Sequence, residues 1–113
     1  MRALLPSLKE KKRYIVFEIT ANKKINDFRL ISRAIWNSSL DFLGQLETGK
    51  AGLWILADKW NVEKQKGILR INNKYVDKIK ASLTMIAKIG RQNVIVRSVG
   101  VSGILNKAER FYS

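Results

Sequence analysis

Protein chemistry at a site usually needs imidazole, thiol or carboxylate groups, and this sequence offers only the last: nine Asp and Glu, with no His and no Cys. The absence of His and Cys excludes a disulfide framework, a Cys/His zinc site, a cysteine nucleophile and imidazole acid–base catalysis. The carboxylates lack the D-x-D or E-x-x-H spacing of a catalytic metal site, and no base accompanies the serines. Neither Gly67 nor the pair Gly100 and Gly103 forms a phosphate-cradling loop. The sequence therefore predicts no catalytic residue and no metal ligand in this chain.

Positive charge is the strongest signal in the composition. The chain has 22 Lys and Arg against 9 Asp and Glu, a net charge of +13 and a pI near 10.4. So large an excess attracts polyanions, and nucleic acid is the usual partner. An anionic membrane surface is less favoured, because the apolar periodicity indicates an internal core. The cations predicted to contact RNA are Lys9, Lys11, Lys12, Arg13, Lys66, Arg70, Arg91, Arg97, Lys107 and Arg110.

The segment 66–73, KGILRINN, can be compared with the base-stacking pattern K/R-G-F/Y-G/A-F-V-x-F/Y of RNA-recognition motifs. It keeps the basic residue and the glycine, but aliphatic or polar side chains replace the stacking rings. Base stacking on that face is therefore not expected, and contacts should go from Lys and Arg to phosphates. Lys66 and Arg70 could equally be a solvated strand edge, and Arg97 would need a partner if it points inward.

Hydrophobic periodicity predicts the elements that position these residues. Apolar residues alternate in the predicted strands and recur at helical spacing elsewhere. Asn72 or Asn73 is predicted to cap the second helix, with Lys88 in its last turn and Gly90 just beyond. The order is β-α-β-β-α-β with an extra C-terminal helix, an α+β two-layer sandwich of the ferredoxin-like or RNA-recognition-motif-like class. The predicted strands are 14–20, 51–60, 67–72 and 93–99. The predicted helices start at 26, 72 or 73, and 104, and Gly49 and Gly52 are predicted to mark the end of the first helix.

Two of the predicted strands are apolar on both sides, whereas a half-exposed sheet usually alternates apolar and polar residues. Tyr14, Val16, Val94 and Val96 are therefore predicted to lie at an interface. The C-terminal segment, another subunit or both could cover this second face of the sheet.

The length predicts one RNA-binding domain over residues 1–113. This predicted domain divides into a basic N-terminal segment (1–13), an α/β core (14–99) and a C-terminal segment (100–113). No apolar stretch is long enough for a transmembrane helix or a secretory signal, so a cytoplasmic chain is expected.

Three stretches together resemble one family: LKEKKRYIVFEI at 8–19, GILRIN at 67–72 and VRSVGVSGILNKAERF at 96–111. The family is the archaeal and eukaryotic ribonuclease P protein component 2. The resemblance implies a non-catalytic subunit of the endoribonuclease that removes 5′ leaders from precursor tRNA, with Mg²⁺ acting at the active site of the RNA subunit. It also implies four kinds of partner: ribonuclease P RNA, precursor tRNA, ribonuclease P protein component 3, often as a two-plus-two assembly, and other ribonuclease P proteins.

Other functions of the same fold stay open. A free-standing or ribosomal RNA-binding protein would have the same charge and the same lack of catalytic groups. An acylphosphatase-like enzyme would need a phosphate-binding loop with a dedicated Arg and Asn, which no glycine-rich stretch supplies. A small-molecule regulatory domain would leave the charge of +13 unexplained.

Overall fold

A computed structural model describes residues 11–111 of the chain, which form one antiparallel sheet with helices on both of its faces. The strand order is β2-β3-β1-β5-β4. This architecture confirms the predicted α+β sandwich with an additional C-terminal helix. The strands are β1 (Lys12–Ala21), β2 (Trp54–Ile55), β3 (Lys66–Asn72), β4 (Lys88–Ile89) and β5 (Gln92–Ser102). The helices are α1 (Phe28–Leu43), α2 (Gln45–Ala51), α3 (Val76–Thr84) and α4 (Leu105–Ala108).

β1 is the central strand and is buried from both sides. Ile15, Phe17 and Ile19 alternate on the face that packs under α1 and α3, and all three are at most 3% exposed. Val16 points to the opposite face and is also fully buried, against Ile68 and Ala108. The strand therefore takes part in two apolar clusters.

The first predicted helix is broken at Gly44, which ends α1 with a φ of 85°. Its start is capped by Asp27, whose carboxylate accepts a hydrogen bond from the Arg29 amide (2.9 Å). Side-chain hydrogen bonding from Arg29 lowers the pKa of this carboxyl. Beyond Gly44, α2 turns back so that the Thr48 hydroxyl donates to the Ser39 carbonyl (3.1 Å). The prediction of one continuous helix to Gly49 was wrong.

The predicted strand 51–60 was also largely wrong, since only Trp54–Ile55 pairs with the sheet. Ala51 is the last residue of α2, and Ala57–Lys59 forms a 3₁₀ turn. The indole of Trp60 then donates to the Ile25 carbonyl (3.1 Å), so this part of the chain leaves the sheet edge.

Two boundaries near the second helix differ from prediction. Asn72 accepts from the Lys74 amide (3.1 Å) and starts a 3₁₀ turn that leads into α3, as expected for one of the two candidate caps. However, α3 ends at Thr84, and Gly90 (φ 64°) lies in the turn between β4 and β5 instead of ending a helix. β5 continues past the predicted end at 99 to Ser102, with a register shift opposite Val16 and Phe17.

Gly67 gives a test of the core packing. The rings of Phe17 and Trp60 stack with centroids 6.1 Å apart, and a Cβ on Gly67 would lie 2.6 Å from the Phe17 ring. We expect Gly67→Ala to lower the free energy of unfolding by about 1–3 kcal/mol, the usual cost of overpacking a core. The matched control is Gly49→Ala, because Gly49 lies in α2 with open space around it; this change should raise the free energy of unfolding by up to about 1 kcal/mol. Equal urea midpoints for the two variants would contradict this packing.

Candidate nucleic-acid interface

The sheet face opposite α1 to α3, termed here the open face, carries the even-numbered residues of β1 and β3. Its middle is covered by α4, which packs Ala108 against Val16 and Ile68 with Leu105 beside them. The Phe111 ring lies directly over Gly100, where a Cβ would overlap it. The C-terminal segment therefore covers part of the open face. It is one of the two candidates that the sequence analysis named for this role, the other being another subunit.

Two lysines hold this C-terminal segment in place. The Lys66 ammonium donates to the Phe111 carbonyl (3.1 Å), and Lys59 forms an ion pair with Glu109 (2.7 Å). Lys66 was predicted to contact RNA, but the structure gives its charge an intramolecular partner. Lys107 and Arg110, on the same segment, are exposed.

Arg97 also lies on the open face, so its side chain does not point into the core. It sits opposite Glu18 across the β1–β5 pair, and its Nε and Nη2 donate to the same Glu18 oxygen at 3.0 and 2.8 Å. The Arg97 side chain is 64% exposed. Its charge is therefore largely balanced within the chain, and it is a weaker candidate for a phosphate contact than an unpaired cation.

One end of the sheet brings together cations that are distant in sequence, with Lys12 and Arg70 on the open face and Arg13, an odd-numbered residue of β1, on the other side. Lys11 precedes β1, Lys12 and Arg13 are the first two residues of β1, and the antiparallel register places Tyr14 opposite Arg70. A Cβ on Gly103 would lie 3.0 Å from an Arg13 nitrogen, so the guanidinium reaches the end of β5. We call Lys11, Lys12, Arg13 and Arg70 the basic end.

Within residues 11–111, no carboxylate lies within ion-pair distance of the basic end. The described carboxylates that do form ion pairs are Asp27, Glu47, Glu63, Glu109 and Glu18, all elsewhere. Like charges held close together without a counter-charge attract an external polyanion. Lys9, the remaining predicted cation of this run, lies outside the described residues.

Arg91 lies at the opposite end of the molecule, in the turn between β4 and β5. There it lines an open groove of about 590 Å³ together with Lys23, Lys24 and Leu30. The Gln92 amide fixes one wall, accepting from the Lys23 amide (3.2 Å) and donating to the Lys23 carbonyl (3.1 Å). Lys23 and Lys24 were not among the cations predicted to contact RNA; they lie between the predicted strand 14–20 and the helix predicted to start at 26.

The residues predicted at an interface lie mainly inside the chain. Val94 and Val96 are 7% and 3% exposed in the helix-covered core, and Val16 is fully buried under α4. Tyr14 is half-buried against the same small cluster. The structure therefore does not place Val16, Val94 and Val96, which were predicted at a partner interface, on a surface that a partner could contact. The exposed apolar residue of β5 is Ile95, at 66%.

The open face also carries an aromatic ring that the sequence pattern did not predict. Trp54 in β2 pairs with Arg70 in β3 and is 59% exposed. The Arg70 guanidinium carbon lies 5.9 Å from the centroid of its ring. This ring comes from β2, whereas the RNA-recognition-motif pattern would place its stacking rings in the segment that forms β3.

Within residues 11–111, no group of three or more Asp or Glu converges in a geometry that could hold a metal ion. In the same part of the chain, no helix is long and apolar enough to cross a membrane. The open face offers cations and the exposed ring of Trp54 for binding.

Comparison with known proteins gives consistent matches over nearly the whole chain. The sequence model of the Rpp14/Pop5 family matches residues 13–113. The ribonuclease P protein component 2 of Archaeoglobus fulgidus is 36% identical over 112 residues, which cover 99% of this chain and 97% of that protein. The protein of the same name from Thermococcus kodakarensis is 35% identical over 107 residues, or 95% and 87% of the two chains.

Among solved structures, a chain in the cryo-EM structure of yeast ribonuclease MRP superposes with a TM-score of 0.62. The match covers 82% of this chain and 74% of that chain at 14% identity. At so low an identity, the likeness supports the fold alone.

Proposed function

Because the chain belongs to the Rpp14/Pop5 family, we propose that it serves as a protein subunit of ribonuclease P, the endoribonuclease that matures the 5′ end of tRNA. The relatives that match nearly its whole length carry the name ribonuclease P protein component 2. The structural observation that carries the proposal is the basic end, where Lys11, Lys12, Arg13 and Arg70 meet without a carboxylate partner in the described chain.

In this proposal the subunit binds RNA and leaves the hydrolysis to the RNA subunit with Mg²⁺. The sequence has no imidazole or thiol. The described ion pairs tie carboxylates to neighbouring cations, as Glu18 is tied to Arg97 and Glu109 to Lys59. These features favour a role for the chain in which it binds and orients RNA.

Lys and Arg side chains of the basic end would neutralise phosphates that folding brings close together in the RNA. Phosphate contacts position a protein on folded RNA and carry little sequence information, so recognition would be by shape. Neutralisation lowers the repulsion that opposes RNA folding, Mg²⁺ binding and substrate docking. The proposed partners are ribonuclease P RNA, precursor tRNA, ribonuclease P protein component 3 and other ribonuclease P proteins. Cytoplasmic location stays a prediction.

Two triple variants of equal charge test the basic end. The first, Lys11→Ala with Lys12→Ala and Arg13→Ala, removes three cations from it. The control, Arg33→Ala with Lys78→Ala and Lys80→Ala, removes three from the helix layer. Near physiological salt we expect the first to weaken binding to ribonuclease P RNA roughly tenfold to a hundredfold, and the control to change it less than about threefold.

Filter binding measures the affinities, and circular dichroism checks that both variants fold. Equal losses in the two variants would mean that only net charge matters, and would contradict a localised interface. Unchanged affinity in the first variant would remove the basic end from the RNA contact.

A further inference from the structure

A row of three side chains crosses the open face and shares Arg70 with the basic end. The β-sheet register pairs Trp54 with Arg70 and Arg70 with Tyr14, so the three lie side by side across β2, β3 and β1. Their sequence neighbours Ile15 and Leu69 are fully buried in the helix-covered core, which fixes the row on the opposite face. The row is thus a composite of aromatic rings and one guanidinium.

Trp54 is not explained by the folding of the described chain. Its ring is 59% exposed, although a Trp usually gains stability by being covered. It lies on a two-residue edge strand whose other member, Ile55, packs into the core. An exposed indole ring on a paired strand is suited to stack against a planar group such as a base.

One cation lies over this ring, and a second lies near the residues that precede it. The Arg70 guanidinium lies over it at 5.9 Å from the centroid, and Arg70 Nε is buried without a hydrogen-bond partner in the described chain. The Lys12 ammonium lies close to Gly52, since a Cβ there would be 3.1 Å from it, and Gly52 is two residues before Trp54. These charges have no carboxylate partner within residues 11–111, and they favour an anionic occupant over an apolar one.

We infer that this row is a binding site for one unpaired nucleotide of RNA. The base stacks on the exposed part of the Trp54 ring, and the adjoining phosphate is bound by Arg70 and Lys12. An indole and a guanidinium can both stack on a base, and stacking tolerates any base because each has a π-face. The inference rests on the proposed role as an RNA-binding subunit and adds a contact to single-stranded RNA.

The test uses the full chain with two fluorescein-labelled probes, a single-stranded RNA octamer and an RNA duplex of the same length. Trp54→Ala should weaken binding of the single strand from about fivefold to about a hundredfold, the range found for loss of one stacked base. Binding of the duplex, whose bases are not free to stack, should change less than about twofold. Trp54→Phe keeps a ring and should retain most of the affinity.

Trp36→Ala is the matched control, since Trp36 is a partly exposed Trp (37%) on α1, in the helix layer. It should leave both affinities unchanged. A second arm uses the same octamer with abasic sites, which should bind wild type and Trp54→Ala equally. Circular dichroism verifies that each variant folds.

Three results would overturn the inference: Trp54→Ala binds the octamer as wild type does, it weakens both probes equally, or the abasic octamer still distinguishes it from wild type. If Trp54→Ala impairs assembly with a protein partner but leaves octamer binding unchanged, the ring makes a protein contact and the inference is also wrong. In each case binding of ribonuclease P RNA by the double variant Lys11→Ala with Arg13→Ala decides the proposed function separately, because this variant keeps Lys12, Arg70 and Trp54.

Discussion

Binding of ribonuclease P RNA to this chain should weaken about a thousandfold as the salt concentration rises from about 50 to about 200 mM, the loss expected for about six phosphate contacts. The contacts we count come from the basic end, Lys107 and Arg110. Lys66 and Arg97 are left out because each already has a partner within the chain. Each neutralised phosphate releases condensed counterions, and that release is less favourable when the bulk salt is concentrated.

Filter binding over a series of salt concentrations gives the slope of log affinity against log salt. About six contacts predict a slope of roughly −4 to −5, and the Lys11, Lys12 and Arg13 triple variant should make it shallower by about 2 to 3. A flat response would contradict electrostatic binding. An unchanged slope in the triple variant would place the contacts elsewhere on the molecule.

Local patterns predicted much of the fold. The alternation of Ile15, Phe17 and Ile19 predicted a strand, and Ile31 and Ile35 predicted a helix face, because burial repeats with period 2 in strands and near 3.6 in helices. Gly90 was misread for a physical reason. A positive φ suits both the residue after a helix and a tight β-turn, so glycine alone does not distinguish them.

The segment around Trp54 was misread for a different reason. Its alternating apolar residues are typical of a strand, but only two residues find a partner at the edge of β3. What ends β2 is the packing of Trp60 on Phe17 and its hydrogen bond to Ile25, contacts between residues far apart in sequence. Tertiary contacts of this kind override local β-propensity.

The sequence predicted which cations could form the candidate site, but it did not predict how they are arranged in space. The run at Lys11, Lys12 and Arg13 could be read directly, but its convergence with Arg70 depends on the β1–β3 register. The same limitation applies to β5, where Val94, Ile95 and Val96 are all apolar and the sequence cannot say which side faces the core. Pairing fixes Arg97 opposite Glu18 on the open face, and Val94 and Val96 consequently lie inside.

The second large effect concerns cleavage of precursor tRNA. We expect omission of this chain from an otherwise complete ribonuclease P to slow cleavage about tenfold or more at low Mg²⁺, equivalent to about 1.4 kcal/mol of lost transition-state stabilisation. Raising Mg²⁺ should restore most of the rate. The physical reason is that Mg²⁺ and the basic end neutralise the same kind of charge, so one can partly replace the other.

Titrating Mg²⁺ in this reconstituted reaction, with the chain present, omitted or supplied alone, tests most directly whether the chain binds RNA without cleaving it. We predict cleavage by the complete set, slower cleavage without the chain that recovers as Mg²⁺ rises, and none by the chain alone. Cleavage by the polypeptide without RNA would contradict the central claim, and so would a rate at low Mg²⁺ that does not depend on its presence.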